Sequence, residues 1–598
     1  MPTKTLGPWP AGLNLSTNRS QSVYLADSEL GEAKNLIYST EGFLLPRPGC
    51  KTLLSNGLVD LYEHMSAGEF SLIGMVDTGV YGIWTIVQVT VGVDTYLYKI
   101  RDQDKELLDE NIRLIAHINT GAKFTHLIVH SGFVTEYTDI DPSEPTNVYT
   151  YPADTGVLLF TDTDNESYIT SMNLDQPITM IDPALQIPSS HYGLIVKDRL
   201  FLFHHNKNKM IWGPAVYILD FRTNLVYSPF GIDAMGVEII EPTTPDDTIR
   251  CVEFYNNNFY IFKRAATFMF TYQLSPYTDG YMRKISAEQG AYASTIFREN
   301  IIVINNKGVF SVVGTEFVDL QRKMNFRFEI PIDHPNITNR DIFITNFNNN
   351  VLFGFRDIVT DPAFPKYYYY NMDATTGAWS NWSYTYADNI AAPGSEYFLI
   401  QNTNTTTLKM LFVTWNRRHV VFMHWKPHPT LYDYHMDGDI VSTTNNLFYY
   451  LPNVEIKTTA NVGDSILKYK KLYRYYVRLY LSEIPVSENE EPLWTLSLNY
   501  NSYKFDSVMN PIFGLYPTKQ PFPDPKSNVI DTAVYTRTYQ VRIPQQRVKE
   551  FVFELKRRFS KINADDIVIN PDGDRPLKTG YYWQLAGIWF DYQDKAGI

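Results

Sequence analysis

Two tight reversals within twenty residues restrict what this chain can fold into more than any other feature. In IIVINNKGVFSVVGTEFVDL, residues Ile301–Leu320, the β-branched run Ile301–Ile304 fits a pleated, half-buried surface. Asn305-Asn306-Lys307-Gly308 supplies turn chemistry, because Asn and Gly tolerate positive φ where other residues are strained by it. Val309–Val313 is a second apolar run, and Gly314-Thr315-Glu316 turns the chain again before Phe317–Leu320. This spacing predicts an antiparallel meander. A lone hairpin is marginal in water, so such units must pack side by side to bury their faces.

The rest of the chain supplies more of them. Val252–Tyr255 and Phe259–Phe262 flank Asn256-Asn257-Asn258. Ile342–Phe347 and Val351–Phe355 flank Asn348-Asn349-Asn350, and Tyr367–Tyr370 and Trp379–Trp382 flank Asp373–Gly377. Leu411–Trp415 and His419–Trp425 flank Asn416-Arg417-Arg418. Turns centred near 257, 306, 349, 375 and 417 recur loosely at the ~40–50-residue period of propeller blades. The expected fold is mainly β: a distorted β-propeller body with an additional β-sandwich-like platform domain, a large two-sheet sandwich being the alternative for the body. Aromatic residues are 15% of the chain, which also favours strands.

Three segments follow from texture. Residues 1–55 form an N-terminal arm or platform segment rich in turn signals, in which Asp27-Ser28-Glu29-Leu30 predicts a short helix ending near Asn35. Residues 56–450 form the propeller body. It holds a possible insertion within 105–185, a helix over Lys105–Ala116, and long loops over Thr138–Pro152 and Asp182–Ser190. Residues 451–598, with alternating Val454–Thr459 and Leu472–Leu481 and closing strands in Glu550–Phe559 and Tyr581–Tyr592, form the C-terminal β-sandwich or platform domain.

Several function classes find little in the sequence. Cys50 and Cys251 lie far apart, which excludes a disulfide scaffold or a Cys-ligated zinc site. The apolar stretch Thr78–Val93 contains Gln88 and is too short for a membrane span, and it reads as strands. The N-terminus has no apolar core of the kind a secretory signal needs. A net charge of −13 argues against a DNA-gripping surface, which needs phosphate-neutralising cations, but suits one along which DNA slides.

His204-His205 and His424, His428 and His435 read as hydrogen-bonding rather than metal-binding residues. Asp162, Asp164 and Glu166 start like a calcium loop that fails at Ser167 and Asn173. Asp433, Asp437 and Asp439 crowd a Gly turn, and carboxylate pairs such as Asp246-Asp247 say nothing of geometry. No nucleophile elbow, phosphate loop or dinucleotide fingerprint sits in its required context. The expectation is therefore no enzyme, no catalytic residue, no metal and no cofactor. Trp379, Trp382, Trp415 and Trp425 could stack on sugars if exposed, with burial in the core as the competing reading.

The order of landmarks resembles the tail nozzle, or tail tubular protein B, family of short-tailed bacteriophages. Those landmarks are Gly12-Leu13-Asn14, Asp27-x-Glu29-Leu30, Asn35, Glu41-Gly42 and Arg47-Pro48-Gly49, then Lys197-Asp198-Arg199-Leu200-Phe201-Leu202-Phe203. Phe259–Lys263, Ile285–Gly290, Lys307-Gly308-Val309-Phe310, Gly314 and the strand Trp583–Tyr592 follow in the same order. The resemblance implies a structural subunit of the virion tail, assembled in the host bacterial cytoplasm. It implies a homo-oligomer, a hexameric ring below the portal and its adaptor protein, that contacts tail fibres or spikes and passes and gates double-stranded DNA for ejection. It gives structural roles to Asn35, Gly42, Arg47, Gly49, Arg199, Gly290, Gly308 and Gly314. A host-glycan receptor-binding propeller, or a head–tail stopper protein, is the alternative.

Overall fold

The computed structural model describes residues 3–13, 29–47, 50–52, 64, 69–77, 83–101, 112–134, 138–140, 148–150, 155–163, 166–171, 179–180, 190, 192–196, 199–204, 209–212, 235–238, 248–272, 280–305, 307–320, 342–347, 350–357, 366–382, 396–400, 409–413, 420–423, 433–437, 446–451, 454–458, 469–481, 494–500, 503–509, 518–520, 534–542, 547–548, 551–557, 560–563 and 583–595. Apart from a single helical residue, His64, the described elements are β-strands, so the chain is mainly β. No described helix is long and apolar enough to cross a membrane.

Seven antiparallel sheets follow one another along the chain. Their leading strands are Glu69–Asp77, Phe124–Val134, Tyr192–Val196, Ile249–Tyr255, Ala293–Phe297, Ile342–Phe347 and Glu396–Ile400. The first six are four-strand meanders, in order within each sheet except that a small hairpin interrupts the second. The leading strands of the first and second, second and third, fourth and fifth, fifth and sixth, and sixth and seventh sheets lie against one another. That of the seventh returns against the first. Third and fourth are joined by Phe201 on Phe259, with ring centroids 4.5 Å apart, and by the Tyr192 hydroxyl donating to the Arg250 carbonyl.

Stacked sheets explain why the central strands read as unbroken apolar runs. Ile301 and Val303 join a core with Tyr260 and Phe262 of the fourth sheet, whereas Ile302 and Ile304 face Ile342 and Ile344 of the sixth. Phe259 and Ile261 likewise face the third sheet, where Phe201 and Phe203 lie. A strand covered on both faces needs apolar residues at both parities, and each large side chain so buried contributes about 1.5–3 kcal/mol. Gln88, the polar residue in the apolar stretch Thr78–Val93, is buried. Its carboxamide accepts from Phe124 N at 2.7 Å and donates to Phe124 O at 3.3 Å, tying the first sheet to the second.

The turns follow the asparagines. The fourth sheet's first hairpin closes through Asn256 (φ 49°) and Asn257 (φ 61°), with Tyr255 opposite Asn258. This is the left-handed pair a two-residue hairpin loop requires. Asn258 is therefore the first residue of the next strand and not part of the loop.

The last two sheets are completed from the N-terminus. Cys50–Thr52 pairs antiparallel with Val420–Met423 and supplies the seventh sheet's fourth strand. Glu29–Lys34 meets the outer strand of the sixth sheet in parallel, at Lys34 opposite Asn381. It pairs antiparallel with Val454–Thr458 on its other side. From there the sheet continues through Phe551–Arg557, Trp494–Tyr500 and Tyr503–Met509. A second terminal sheet centres on Tyr469–Leu481, flanked by Val534–Arg542 and Trp583–Lys595, and Thr3–Leu6 and Leu44–Pro46 join it. The two terminal sheets share one core, in which Tyr475 meets Phe553 at 5.2 Å and Phe551 meets Phe590 at 4.8 Å.

Several sequence expectations are corrected. Glu29–Lys34 is a strand and not a helix: a single capped turn cannot bury Leu30 and Ala33, whereas pairing on both edges does. Of the helix expected over Lys105–Ala116, residues 112–116 belong to the strand Ile112–Ile118, the outer strand of the first sheet, and the remainder lies outside the described residues. Within the loop expected over Thr138–Pro152, Thr138–Ile140 pairs with Val148–Thr150. The turns near 349 and 375 belong to one sheet, Ile342–Trp382, and so do not mark separate units.

Candidate functional site

Most of the landmark residues fall into two groups, and each group marks a place where separate segments approach. The first is a knot at the N-terminus. Asn35 takes φ 58° between two strands. Its N–H donates to Asn381 O at 2.8 Å, its carbonyl accepts from Arg47 N at 3.3 Å, and its Oδ1 accepts from Arg47 Nε at 3.0 Å. Arg47 is fully buried. Gly42, at φ 81°, closes the turn that begins at Ser39, and its carbonyl accepts from Trp9 N at 2.9 Å. A Cβ on Gly42 would lie 2.8 Å from Pro10 N. Gly12, also at positive φ, passes so close to the sixth sheet that a Cβ would lie 2.6 Å from Trp379 N.

Three further bonds fasten this segment to the sixth sheet's outer strand, and a fourth ties that strand to the end of the fifth sheet. Tyr38 Oη donates to Trp379 O at 2.7 Å, and Trp379 Nε1 donates to Leu320 O at 3.3 Å. Ser380 Oγ and Trp382 Nε1 both donate to Leu36 O, at 2.7 and 3.0 Å. Trp379 and Trp382 are buried, so neither offers a face to a sugar. Trp415 and Trp425 lie outside the described residues.

The second group joins the fourth and fifth sheets. A Cβ on Gly290 would sit 1.8 Å from Lys263 O, so only glycine passes. Beside it Ala291 N donates to Lys263 O at 2.9 Å, and Thr267 Oγ1 donates to Gln289 O at 2.7 Å. Asn305 connects this crossing to the next turn. Its Nδ2 donates to Gly290 O at 3.2 Å, while its Oδ1 accepts from Lys307 N at 2.7 Å and Gly308 N at 3.1 Å. Gly308 takes φ 133°. Gly314, at φ 61°, stands apart on an exposed turn with open space around it. Arg199 heads the strand Arg199–His204 and its side chain is outside the described residues, as is Gly49.

Between the same two sheets Glu253 accepts a hydrogen bond from Ser294 Oγ at 2.9 Å. Burial pushes its carboxyl up to about 7, against the opposing pull of the Ser294 bond. Burial also pushes the nearby Cys251 thiol well above its usual range, and this makes it a poor nucleophile.

The carboxylates of the failed calcium loop have other partners. Asp162 Oδ1 accepts from Lys123 N at 2.8 Å, and Glu166 Oε1 accepts from Thr120 Oγ1 at 2.9 Å and Tyr168 Oη at 2.7 Å. Asp164 lies outside the described residues, as do the side chains of His204, His205, His424, His428, His435, Asp433, Asp437 and Asp439.

Sequence reasoning missed a trio, Glu32, Glu455 and Glu554, whose carboxylate oxygens lie within 4.8 Å of one another on three paired strands. Lys556 Nζ already reaches into it, 2.8 Å from Glu554 and 3.2 Å from Glu455. Burial and the charge of Glu455 raise the Glu32 pKa. Burial would raise Glu455 too, but Lys556 and Lys34 more than offset it and hold that carboxyl below its usual range. Lys556 thus places a positive charge beside two of the three carboxylates. The three glutamates are far apart in the chain, and nothing local in the sequence signals that they share a face.

No family model matches the chain, and no curated protein matches it. Among solved structures, similar folds occur in β-propeller-like proteins at low TM-score. Saccharomyces cerevisiae Sqt1 is 7% identical, over 57% of this chain and 81% of that one, with a TM-score of 0.31. The dihydro-heme d1 dehydrogenase NirN in complex with DHE is 7% identical over 71% and 77%, at 0.29. Kluyvelomyces marxianus Hsv2 is 10% identical over 52% and 90%, at 0.25.

Proposed function

We propose that this chain is a structural, non-enzymatic subunit of a short-tailed phage tail, of the nozzle type. Six copies form a ring below the portal and adaptor, and DNA passes along the ring's axis. In this reading the seven sheets are a distorted β-propeller, closed by a strand from the N-terminal segment, and the two terminal sheets are its sandwich platform.

The observation that carries the reading is the knot of Asn35, Gly42 and Arg47. These three landmarks of the resemblance sit where the N-terminal segment threads between the sixth sheet and the terminal sheets. A motif with that role is architectural rather than chemical. The net charge of −13 agrees with a conduit that avoids holding phosphates, and burial of Trp379 and Trp382 weakens the glycan-binding alternative.

Negative-stain microscopy of the purified full-length chain is the test. Rings of six with an axial opening are expected. Particles that remain single at every concentration would end the proposal, and a passage walled throughout by lysine and arginine would remove its mechanism.

A further inference from the structure

The outer strands of the sheets differ in how they end. Those of the sixth and seventh are paired with the chain's own Glu29–Lys34 and Cys50–Thr52. Those of the first five sheets have no further strand beside them among the described residues; in the fourth and fifth these are Gly280–Ser286 and Glu316–Asp319. Each carries a large apolar side chain in solvent, Tyr281 at 65% exposure and Val318 at 40%. An open edge is a template for another strand, and natural proteins usually blunt it with charge. Here the charges are of opposite sign: Arg283 and Lys284 on the fourth sheet, Glu316 and Asp319 on the fifth.

We propose that these two edges join copies of the chain, Gly280–Ser286 of one copy pairing antiparallel with Glu316–Asp319 of the next. One register pairs the exposed side chains of the two strands. Tyr281 stands opposite Val318 and Arg283 opposite Glu316, all four being exposed and on one face. On the reverse face the same register sets Met282 opposite Phe317, both partly buried against their own sheets. An apolar pair beside an opposite-charge pair is a stabilising cross-strand combination. The charges also select against mistakes, because two fourth-sheet edges or two fifth-sheet edges meet like sign with like.

The seam deepens the ring reading without being identical to it, so one set of variants separates the two. Self-association of the full-length chain is measured by sedimentation velocity for the wild type, Arg283→Glu, Glu316→Arg and the doubly swapped chain. Each single reversal is expected to weaken association about tenfold, and the double swap to restore it. As a second readout, Tyr281→Cys chains mixed with Val318→Cys chains are expected to cross-link under mild oxidation, while neither does so alone.

Single reversals that associate like the wild type, a double swap that does not recover, or a mixture that fails to cross-link would each overturn the seam. Rings that persist in Arg283→Glu would overturn the seam and leave the ring. Charge-dependent association that builds no ring would keep the seam and remove the nozzle reading.

Discussion

Replacing Gly290 with alanine tests whether the fourth and fifth sheets are held by a backbone crossing that admits no side chain. The added Cβ would fall 1.8 Å from Lys263 O and 2.6 Å from Arg264 C. Both are backbone atoms, so no rotamer change relieves the clash. The strand must retreat by more than an ångström, which breaks the Ala291 N–Lys263 O and Asn305 Nδ2–Gly290 O bonds. Two hydrogen bonds at about 1 kcal/mol each and an overpacking cost of about 1–3 kcal/mol give roughly 3–5 kcal/mol. Native-state hydrogen exchange reads this locally, as is required in a chain of 598 residues, where global unfolding need not be two-state. Amides in 258–272 and 291–305 should lose more than about 100-fold protection, while those of the first sheet keep theirs. The control is Gly377→Ala, where φ is +69° and no atom lies within 4 Å of the new Cβ, and strain alone should cost about 1–2 kcal/mol. If Gly290→Ala loses no more protection than this control, the crossing is not what holds the two sheets together.

Three further outcomes are expected. Glu253 is raised to about 7; its contribution to stability is fully present below the unfolded value near 4.5 and is lost as pH rises through 7. At most about 3 kcal/mol disappears over that window, and Glu253→Gln should flatten the decline when stability is followed from pH 4.5 to 8. At the fourth-sheet turn, Asn257→Val forces a β-branched residue into φ 61° and should cost about 1–2 kcal/mol. Asn257→Gly, by contrast, should leave the denaturation midpoint within a few tenths of a kcal/mol of wild type. Arg47→Ala removes a fully buried side chain and the Nε–Asn35 Oδ1 bond at about 2–4 kcal/mol. Limited proteolysis should then cut within 29–47 before it cuts the central sheets.

What could be read from the sequence divides by the range over which each feature is fixed. The meander over Ile301–Leu320 was legible because Asn305 and the glycines at 308 and 314 act on residues two or three places away. The same holds for Asn256-Asn257 and for the Asp373 turn, where Oδ1 accepts from Thr375 N and Thr376 N. Glu29–Lys34 was misread because its local pattern offers a helix start, while its strand partners stand at Asn381 and in Val454–Thr458, hundreds of residues on. Turn spacing failed between 349 and 375 for a related reason. A four-strand meander has three turns, and spacing alone does not tell which of them a loop is.

The landmark residues show the same division from the other side. Their order was visible in the sequence, but not what they do, because Asn35 and the adjoining Leu36 act on chain more than 300 residues away. Arg47 needs the bent backbone at Asn35; Asn35 needs the carbonyl of Asn381; Leu36 needs Ser380 and Trp382. Asn381, Ser380 and Trp382 are in place only once the sixth sheet's outer strand has formed. The N-terminal segment therefore fills a slot its own sequence cannot build, held by contacts that span more than 300 residues of chain. That segment covers the outer edges of the sixth and seventh sheets, and among the edges left open those of the fourth and fifth carry opposite charge. The same weaving that closes the fold would thereby choose where one copy can meet the next.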